Sequence, residues 1–243
     1  MKPVIVTAAT TRELTLLISR LEERERFHAG RREAYRGEVA GKPVILAVTG
    51  IGKINAAGAV TALLERFDPE LLINTGCAGA YRESGLALRD LAVATVEVNG
   101  DDGVMAPDGW HPLDLIGIPA VEKNGETFFN RIPLTRWALD KAAFVAEAEG
   151  VSLRQGPFIT VSTVSGTAVR GAELSRRFGG ICENMEGGAA AQVCLLYGVD
   201  CLEVRGVSNL VEDRELSRWD IDGAAAAAQN FIARFIAELC QAE

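Results

Sequence analysis

The stretch Ile181-Cys-Glu-Asn-Met-Glu-Gly-Gly-Ala-Ala-Ala-Gln-Val-Cys-Leu-Leu196 decides the fold. A short apolar entry, two carboxylates around Asn184-Met185, and then small residues predict a strand end that turns directly into a helix. Ala189, Ala190, Val193, Cys194 and Leu196 fall near helical spacing, and the run is apolar almost all round, so the helix belongs inside the molecule. Glu186 then stands at the helix start, where unpaired amides and the helix dipole favour an anion. The plainer reading of Glu186 is a first-turn carboxylate that stabilises its own helix. The rest of the chain decides between that and a functional role.

Outward from this stretch, strands and helices alternate. Downstream, Cys201–Val207 reads as a strand ending at Ser208-Asn209, and Ile221–Leu239 as a closing helix rich in alanine. Upstream, Leu134–Glu149 reads as a helix, Phe158–Val164 as a strand and Ala172–Phe178 as a helical turn or two. In the amino-terminal half, Pro3–Ala9 is a short β-branched run that predicts a buried strand, followed by a helix through Arg12–Arg26. Glu33–Val39 and Pro43–Thr49 flank Gly41-Lys42, a hairpin signal. Ile54–Phe67 is helical, Leu71–Thr75 a strand leading into the loop Gly76–Gly79, and Leu91–Val98 a further strand. Asn99–Pro133 is irregular, and so long an irregular segment in a compact domain is usually functional or disordered. No repeat or linker divides residues 1–243, so one three-layer α/β domain is expected.

Composition narrows the function. The 243 residues are 48% hydrophobic and 24% charged, as in an ordinary globular fold, and the net charge of -8 is spread without a basic block, which disfavours nucleic acid. The five cysteines form no CxxC pair and sit in mostly apolar contexts, which points to buried thiols in a reducing compartment. With two histidines in the chain, a multi-histidine metal site or a histidine triad is not expected. No apolar run reaches membrane-spanning length, and a cytoplasmic protein is expected. Glycines follow predicted strands at Gly50–Gly52, Gly76–Gly79 and Gly166, where they permit close backbone approach to a ligand. None has the spacing of a P-loop or a GxGxxG fingerprint.

Four motifs in order, Thr49-Gly-Ile-Gly-Lys-Ile-Asn-Ala-Ala57, Ile73-Asn-Thr-Gly-Cys-Ala-Gly-Ala80, Asn184-Met-Glu-Gly187 and Val204-Arg-Gly-Val-Ser-Asn209, resemble the nucleoside phosphorylase/nucleosidase superfamily. Within it the chain is most similar to the futalosine hydrolases, relatives of the methylthioadenosine/S-adenosylhomocysteine nucleosidases. The resemblance implies an α/β/α sandwich with a mixed, barrel-like central sheet, a purine nucleoside bound at the strand ends, at least a dimer, and no cofactor or metal. It implies that Glu186 accepts hydrogen bonds from the ribose hydroxyls. A carboxylate suits that work, since it offers acceptors alone and bonds more strongly as the sugar becomes electron-poor. Met185 matches the methionine that packs on the ribose. Glu13 matches the glutamate that orients and deprotonates the attacking water, against the plainer reading of a charge on a solvated helix face. Ile51, Cys77, Ala78, Gly79 and Ser208 are the further contacts that the matched motifs imply.

The related phosphorylases hold phosphate with a Gly-Asp-Pro loop and arginines. Here the first loop is Thr7-Ala-Ala-Thr-Thr11 and Ile73-Asn-Thr75 precedes Gly76, so water is the expected nucleophile. Asn209 stands where the adenosine-specific nucleosidases carry aspartate. Its amide offers a donor and an acceptor together, which fits a 6-oxopurine; the plainer role is capping a turn after a strand. The expected reaction is hydrolysis of futalosine to hypoxanthine and dehypoxanthine futalosine, a step of the alternative menaquinone route. Methylthioadenosine/S-adenosylhomocysteine or inosine-type nucleosidase activity, and a nucleoside-binding protein without turnover, are the alternatives. Trp219 and Phe128, with Phe129, are candidate walls for the far end of the substrate.

Overall fold

In the computed structural model, which describes residues 1–240, the amino-terminal part forms one flank of the central sheet. β1 (Val4–Ala8) is buried at every position, as a strand covered on both faces must be. A single 3-10 turn, Thr11–Glu13, leads into the short helix α1 (Thr15–Arg20). β2 (Glu22–Ala29), β3 (Arg32–Val39) and β4 (Lys42–Val48) make an antiparallel meander, and α2 (Lys53–Leu64) crosses over to β5 (Leu71–Ala80). β6 (Leu91–Asn99) is followed by two small hairpins, β7 (Gly103–Ala106) with β8 (Gly109–Pro112) and β9 (Val121–Lys123) with β10 (Glu126–Phe128). Next come β11 (Arg131–Pro133), α3 (Arg136–Ala148), β12 (Leu153–Thr160) and α4 (Ala168–Phe178). The chain continues through β13 (Cys182–Asn184), α5 (Gly187–Tyr197), β14 (Cys201–Leu210) and α6 (Ile221–Cys240).

The sheet closes on itself through β5, β14, β6, β12 and β13. β14 runs parallel to β5 and antiparallel to β6, β12 is parallel to both β6 and β13, and β13 returns antiparallel to β5. From β5 the sheet extends outward through β1, β4, β3 and β2. This is the mixed, barrel-like α/β arrangement that the motifs implied. α6 packs across β14 and β5, and α5 packs beside α2. Gln229 of α6 is buried and accepts the amides of Leu16 and Leu17 at 2.8 and 3.3 Å, so the last helix holds the first one in place.

Several elements depart from the reading of the sequence. The helix expected through Arg12–Arg26 stops at Arg20, because Glu22–Ala29 pairs with β3 as an exposed edge strand. That segment lacks the apolar stripe that would hold a helix on the core, and its ladder with β3 wins. Gly76–Gly79 is not a loop: β5 runs straight through it to Ala80, paired with β14. The irregular segment Asn99–Pro133 contains the two hairpins and β11. The short helical turn expected at Ala172–Phe178 begins at Ala168, with the Thr167 hydroxyl capping the amide of Arg170 at 3.2 Å.

Gly206 lies on β14 where α6 crosses, and a Cβ there would overlap the carbonyl of Ala224. Gly206→Ala is expected to push α6 off the sheet and lower stability by about 1–3 kcal/mol, the usual result of overpacking. Urea denaturation of the variant beside the wild type checks this.

Candidate active site

A cavity of about 330 Å³ opens where β5, β13 and β14 end. Its walls include Glu13, Ile51, Cys77, Ala78, Gly79, Met185, Glu186, Ser208, Asn209 and Trp219, which places all of these sequence-predicted residues together. Phe128 is elsewhere. It pairs with Val121 in the β9–β10 hairpin and packs on the main core, so hairpin pairing and core burial, rather than a ligand, account for it.

Glu13 is fixed from both sides. Thr10 and Glu13 form a capping box, with the Thr10 amide and hydroxyl donating to Oε2 at 3.0 and 2.8 Å. The Cys77 amide donates to Oε1 at 2.9 Å. Gly76, at φ +141°, admits this approach, since a Cβ there would overlap Oε1. Glu13 is therefore buried and aimed along β5, not on a solvated helix face.

Glu186 does occupy the start of α5, yet it does not cap that helix. Asn184 Oδ1 accepts the amides of Glu186 and Gly187 at 3.0 and 2.7 Å, and Thr160 Oγ1 accepts that of Gly188 at 2.6 Å. With those amides satisfied, the Glu186 carboxylate is released to the cavity, where Oε1 accepts the Gly52 amide at 2.9 Å. Burial raises its pKa, and Arg205 and the Gly52 amide work against that rise.

Arg205 is a fully buried guanidinium that the reading of the sequence passed over. Nε donates to Glu203 at 2.7 Å, Nη1 to the Cys77 carbonyl at 3.3 Å, and Nη2 lies 3.5 Å from Glu186. Burial disfavours its charge, but Glu203, Glu186 and Glu13 more than offset this and hold it protonated. Behind it, Glu97 accepts from Thr160 and Asn184 at 2.6 and 3.0 Å. Burial, and then the Glu203 charge, push its pKa well above the usual carboxylate range, so it carries a proton. Glu203 Oε2 has no hydrogen-bond donor other than that proton among the described residues. Both carboxyls crowd the bare Cα of Gly187, where any Cβ would overlap them. A signal was present in the sequence: Glu203 and Arg205 stand two apart in the otherwise apolar run Cys201–Val207, hence on one face.

The opposite wall carries Asn209 and a second residue missed in the sequence, Glu183. The Asn209 amide is oriented by the Ser208 hydroxyl at 2.8 Å from Oδ1 and by its own bond to the Leu210 carbonyl at 3.1 Å. Glu183 is buried against Ser165 and Tyr81. Burial, followed by the Glu13 charge, pushes the Cys77 thiol up to about 12, so it is no nucleophile. Arg12 is paired with Asp222, and the Arg214 guanidinium lies 4.6 Å over the Trp219 ring. Among the described residues no cluster of His, Cys, Asp and Glu could hold a metal, and no helix is long and apolar enough to cross a membrane.

Comparisons with known proteins agree with this fold. The family model described as Phosphorylase superfamily matches residues 3–241. A futalosine hydrolase of Thermus thermophilus is 35% identical over 205 residues, covering 84% of this chain and 86% of the relative. A 5'-methylthioadenosine/S-adenosylhomocysteine nucleosidase of Bacillus thuringiensis is 31% identical over 239 residues, 97% of this chain and 99% of the relative. Among solved structures, the corresponding nucleosidase of Neisseria meningitidis in complex with methylthio-immucillin-A matches with a TM-score of 0.85 at 27% identity. That match covers 98% of this chain and 100% of the other.

The proton on Glu97 can be tested through stability. Above the ordinary carboxylate value of 4.5 the unfolded chain releases this proton while the folded chain keeps it. The contribution of Glu97 to stability therefore falls by about 1.4 kcal/mol per pH unit as pH rises, until Glu97 itself ionises in the folded state. Glu97→Gln keeps a donor toward Glu203 and is expected to remove that slope. Glu97→Leu leaves Glu203 short of a donor and is expected to cost about 1–3 kcal/mol. Denaturation curves of the three proteins at successive pH values check both outcomes.

Proposed function

We propose that this chain, which belongs to the phosphorylase superfamily and hydrolyses the N-glycosidic bond of nucleosides, takes futalosine as its substrate and releases hypoxanthine and dehypoxanthine futalosine. Asn209 carries the reading. Its amide, oriented by Ser208 and Leu210, can donate to O6 of a 6-oxopurine while accepting from a protonated N7. The 35% identity to a futalosine hydrolase over most of the chain supports the same substrate. Similarity to methylthioadenosine/S-adenosylhomocysteine nucleosidases favours a 6-aminopurine as the second reading, so methylthioadenosine belongs in the same assay.

In the proposed mechanism the ribose hydroxyls donate to Glu186, and Met185 packs on the sugar. Glu13 accepts a proton from water as the water oxygen bonds to C1' of the ribose. The bond from C1' to N9 breaks with its electron pair passing to the purine, which takes a proton from solvent at N7, and Glu13 returns the proton it accepted to solvent. Thr10 and Cys77 hold the Glu13 carboxylate by three donors and leave lone pairs for the water. Arg205 is tied to Glu203 and Glu186, and Arg12 to Asp222, so these cations are already neutralised by carboxylates. Phosphate would meet Glu13 and Glu186 as like charges, whereas water meets them as acceptors. At the mouth, Trp219 and the Arg214 guanidinium over it suit the aromatic, anionic far end of futalosine.

Incubation with futalosine is expected to release free hypoxanthine and a reducing sugar at a rate independent of added phosphate. A sugar 1-phosphate as the main product, or preference for methylthioadenosine, overturns the reading. Glu13→Gln is expected to lower kcat by about 10²–10⁴-fold with substrate affinity retained. Glu186→Gln is expected to weaken binding as well, by about 1.5–3 kcal/mol. Single-turnover rates and equilibrium binding of futalosine separate the two variants.

A further inference from the structure

The proposed mechanism leaves Glu183 without a task, although the residue lines the cavity and is 5% exposed. The Ser165 amide donates to Oε1 at 2.8 Å. The Ser165 hydroxyl and the Tyr81 phenol lie 2.7 and 3.2 Å from Oε2. An amide can act here as a donor alone, and burial holds Tyr81 as a phenol that can donate. Burial raises the pKa of Glu183, and the donors from Ser165 and Tyr81 oppose the rise. The carboxylate is thus surrounded by donors and set as an acceptor, with a lone pair to spare on its oxygens.

Its place relative to Asn209 matters as much. The point that a Cβ of Gly79 would occupy lies 3.2 Å from Asn209 Nδ2 and 3.6 Å from Glu183 Cγ. Val211 Cγ2 lies 3.0 Å from the same point, so Asn209, Glu183 and Val211 converge beside Gly79, and Asn209, Glu183 and Gly79 all line the cavity. Ser165 also lines the cavity, and its amide is taken up by Glu183.

We propose that Glu183 selects the base by accepting the N1–H that a 6-oxopurine carries and by opposing the N1 lone pair of a 6-aminopurine. The inference rests on the reading above that the leaving base is hypoxanthine. A 6-oxopurine presents an acceptor at O6 and a donor at N1; Asn209 and Glu183 present the complementary donor and acceptor. A 6-aminopurine presents the reverse order at both positions, so polar groups would be mismatched in a buried wall. Sites built on such pairs discriminate strongly, because the wrong ligand leaves desolvated groups without partners.

The test compares kcat/KM for futalosine and for its 6-amino counterpart in the wild type and in Glu183→Gln. The glutamine keeps the shape and an acceptor for the Ser165 amide, and it puts a donor toward N1. The expected result is a loss of about 10- to 100-fold on futalosine, carried mainly by KM, with the preference shifted toward the 6-amino substrate. A wild type that prefers 6-oxopurine and a variant whose preference does not move overturn the role of Glu183 while leaving the futalosine reading intact. A wild type that prefers the 6-amino substrate overturns the futalosine reading itself, and this inference with it. A measurement on the wild type alone guards against a variant that does not fold. In the complex with hypoxanthine labelled with ¹⁵N at N1, the N1 proton is expected to shift downfield and exchange slowly. An unshifted, freely exchanging proton overturns the inference.

Discussion

A guanidinium buried to near zero exposure is costly to remove from water, and Arg205 persists because its partners come from separate parts of the fold. Glu203 is its neighbour on β14, the Cys77 carbonyl belongs to β5, and Glu186 stands at the head of α5. A buried pair of this kind is poor evidence for stability, but it is demanding of geometry. Shifting β14 by one residue against β5 would turn Arg205 and Glu203 together to the other face of the strand and leave Glu186 without its cation. The register of the barrel and the placement of the cavity carboxylates are thus the same constraint.

The second constraint is the start of α5. A helix that begins inside a protein must find acceptors for its first amides without water. Here Asn184 and Thr160 supply them, and Thr160 in turn rests on the protonated Glu97. The arrangement stacks a neutral acid, an asparagine and a hydroxyl beneath the helix so that the carboxylate at its head serves the cavity. Gly187 and Gly188 are required because the space beside them is filled by the carboxyls of Glu97 and Glu203 and by the Asn99 amide.

The outline of all this was readable in the chain. The turn from Cys182–Asn184 into an apolar helix and the crossover from β4 through α2 to β5 followed from apolar spacing, and the joint placement of Glu13, Glu186 and Asn209 from the resemblance to the nucleoside phosphorylase/nucleosidase superfamily. The ends of β5 were not readable, since Gly76 and Gly79 signal a loop in isolation and stay extended through their ladder with β14. Glu22–Ala29 was misread for a similar reason: its charges suit a helix face, and pairing with β3 is a long-range fact. Phe128 illustrates the limit of reading aromatics as ligand walls when core packing claims them. Glu183, Glu97 and Arg205 were passed over because a charged residue looks alike in sequence whether it is solvated or buried. What distinguishes them is the partner, and the partners lie far away along the chain.

The contact of Gln229 with Leu16 and Leu17 also bears on how the protein is made. The turn bearing Glu13 is made well before α6, yet the helix that follows it docks against α6, more than two hundred residues later. Domains can begin to fold from the amino terminus during synthesis. The turn bearing Glu13 has neither its α6 partner nor the β5 amide of Cys77 at that stage. The cavity is therefore completed late: the wall that carries Glu186 can be in place before the turn bearing Glu13 is pinned by α6.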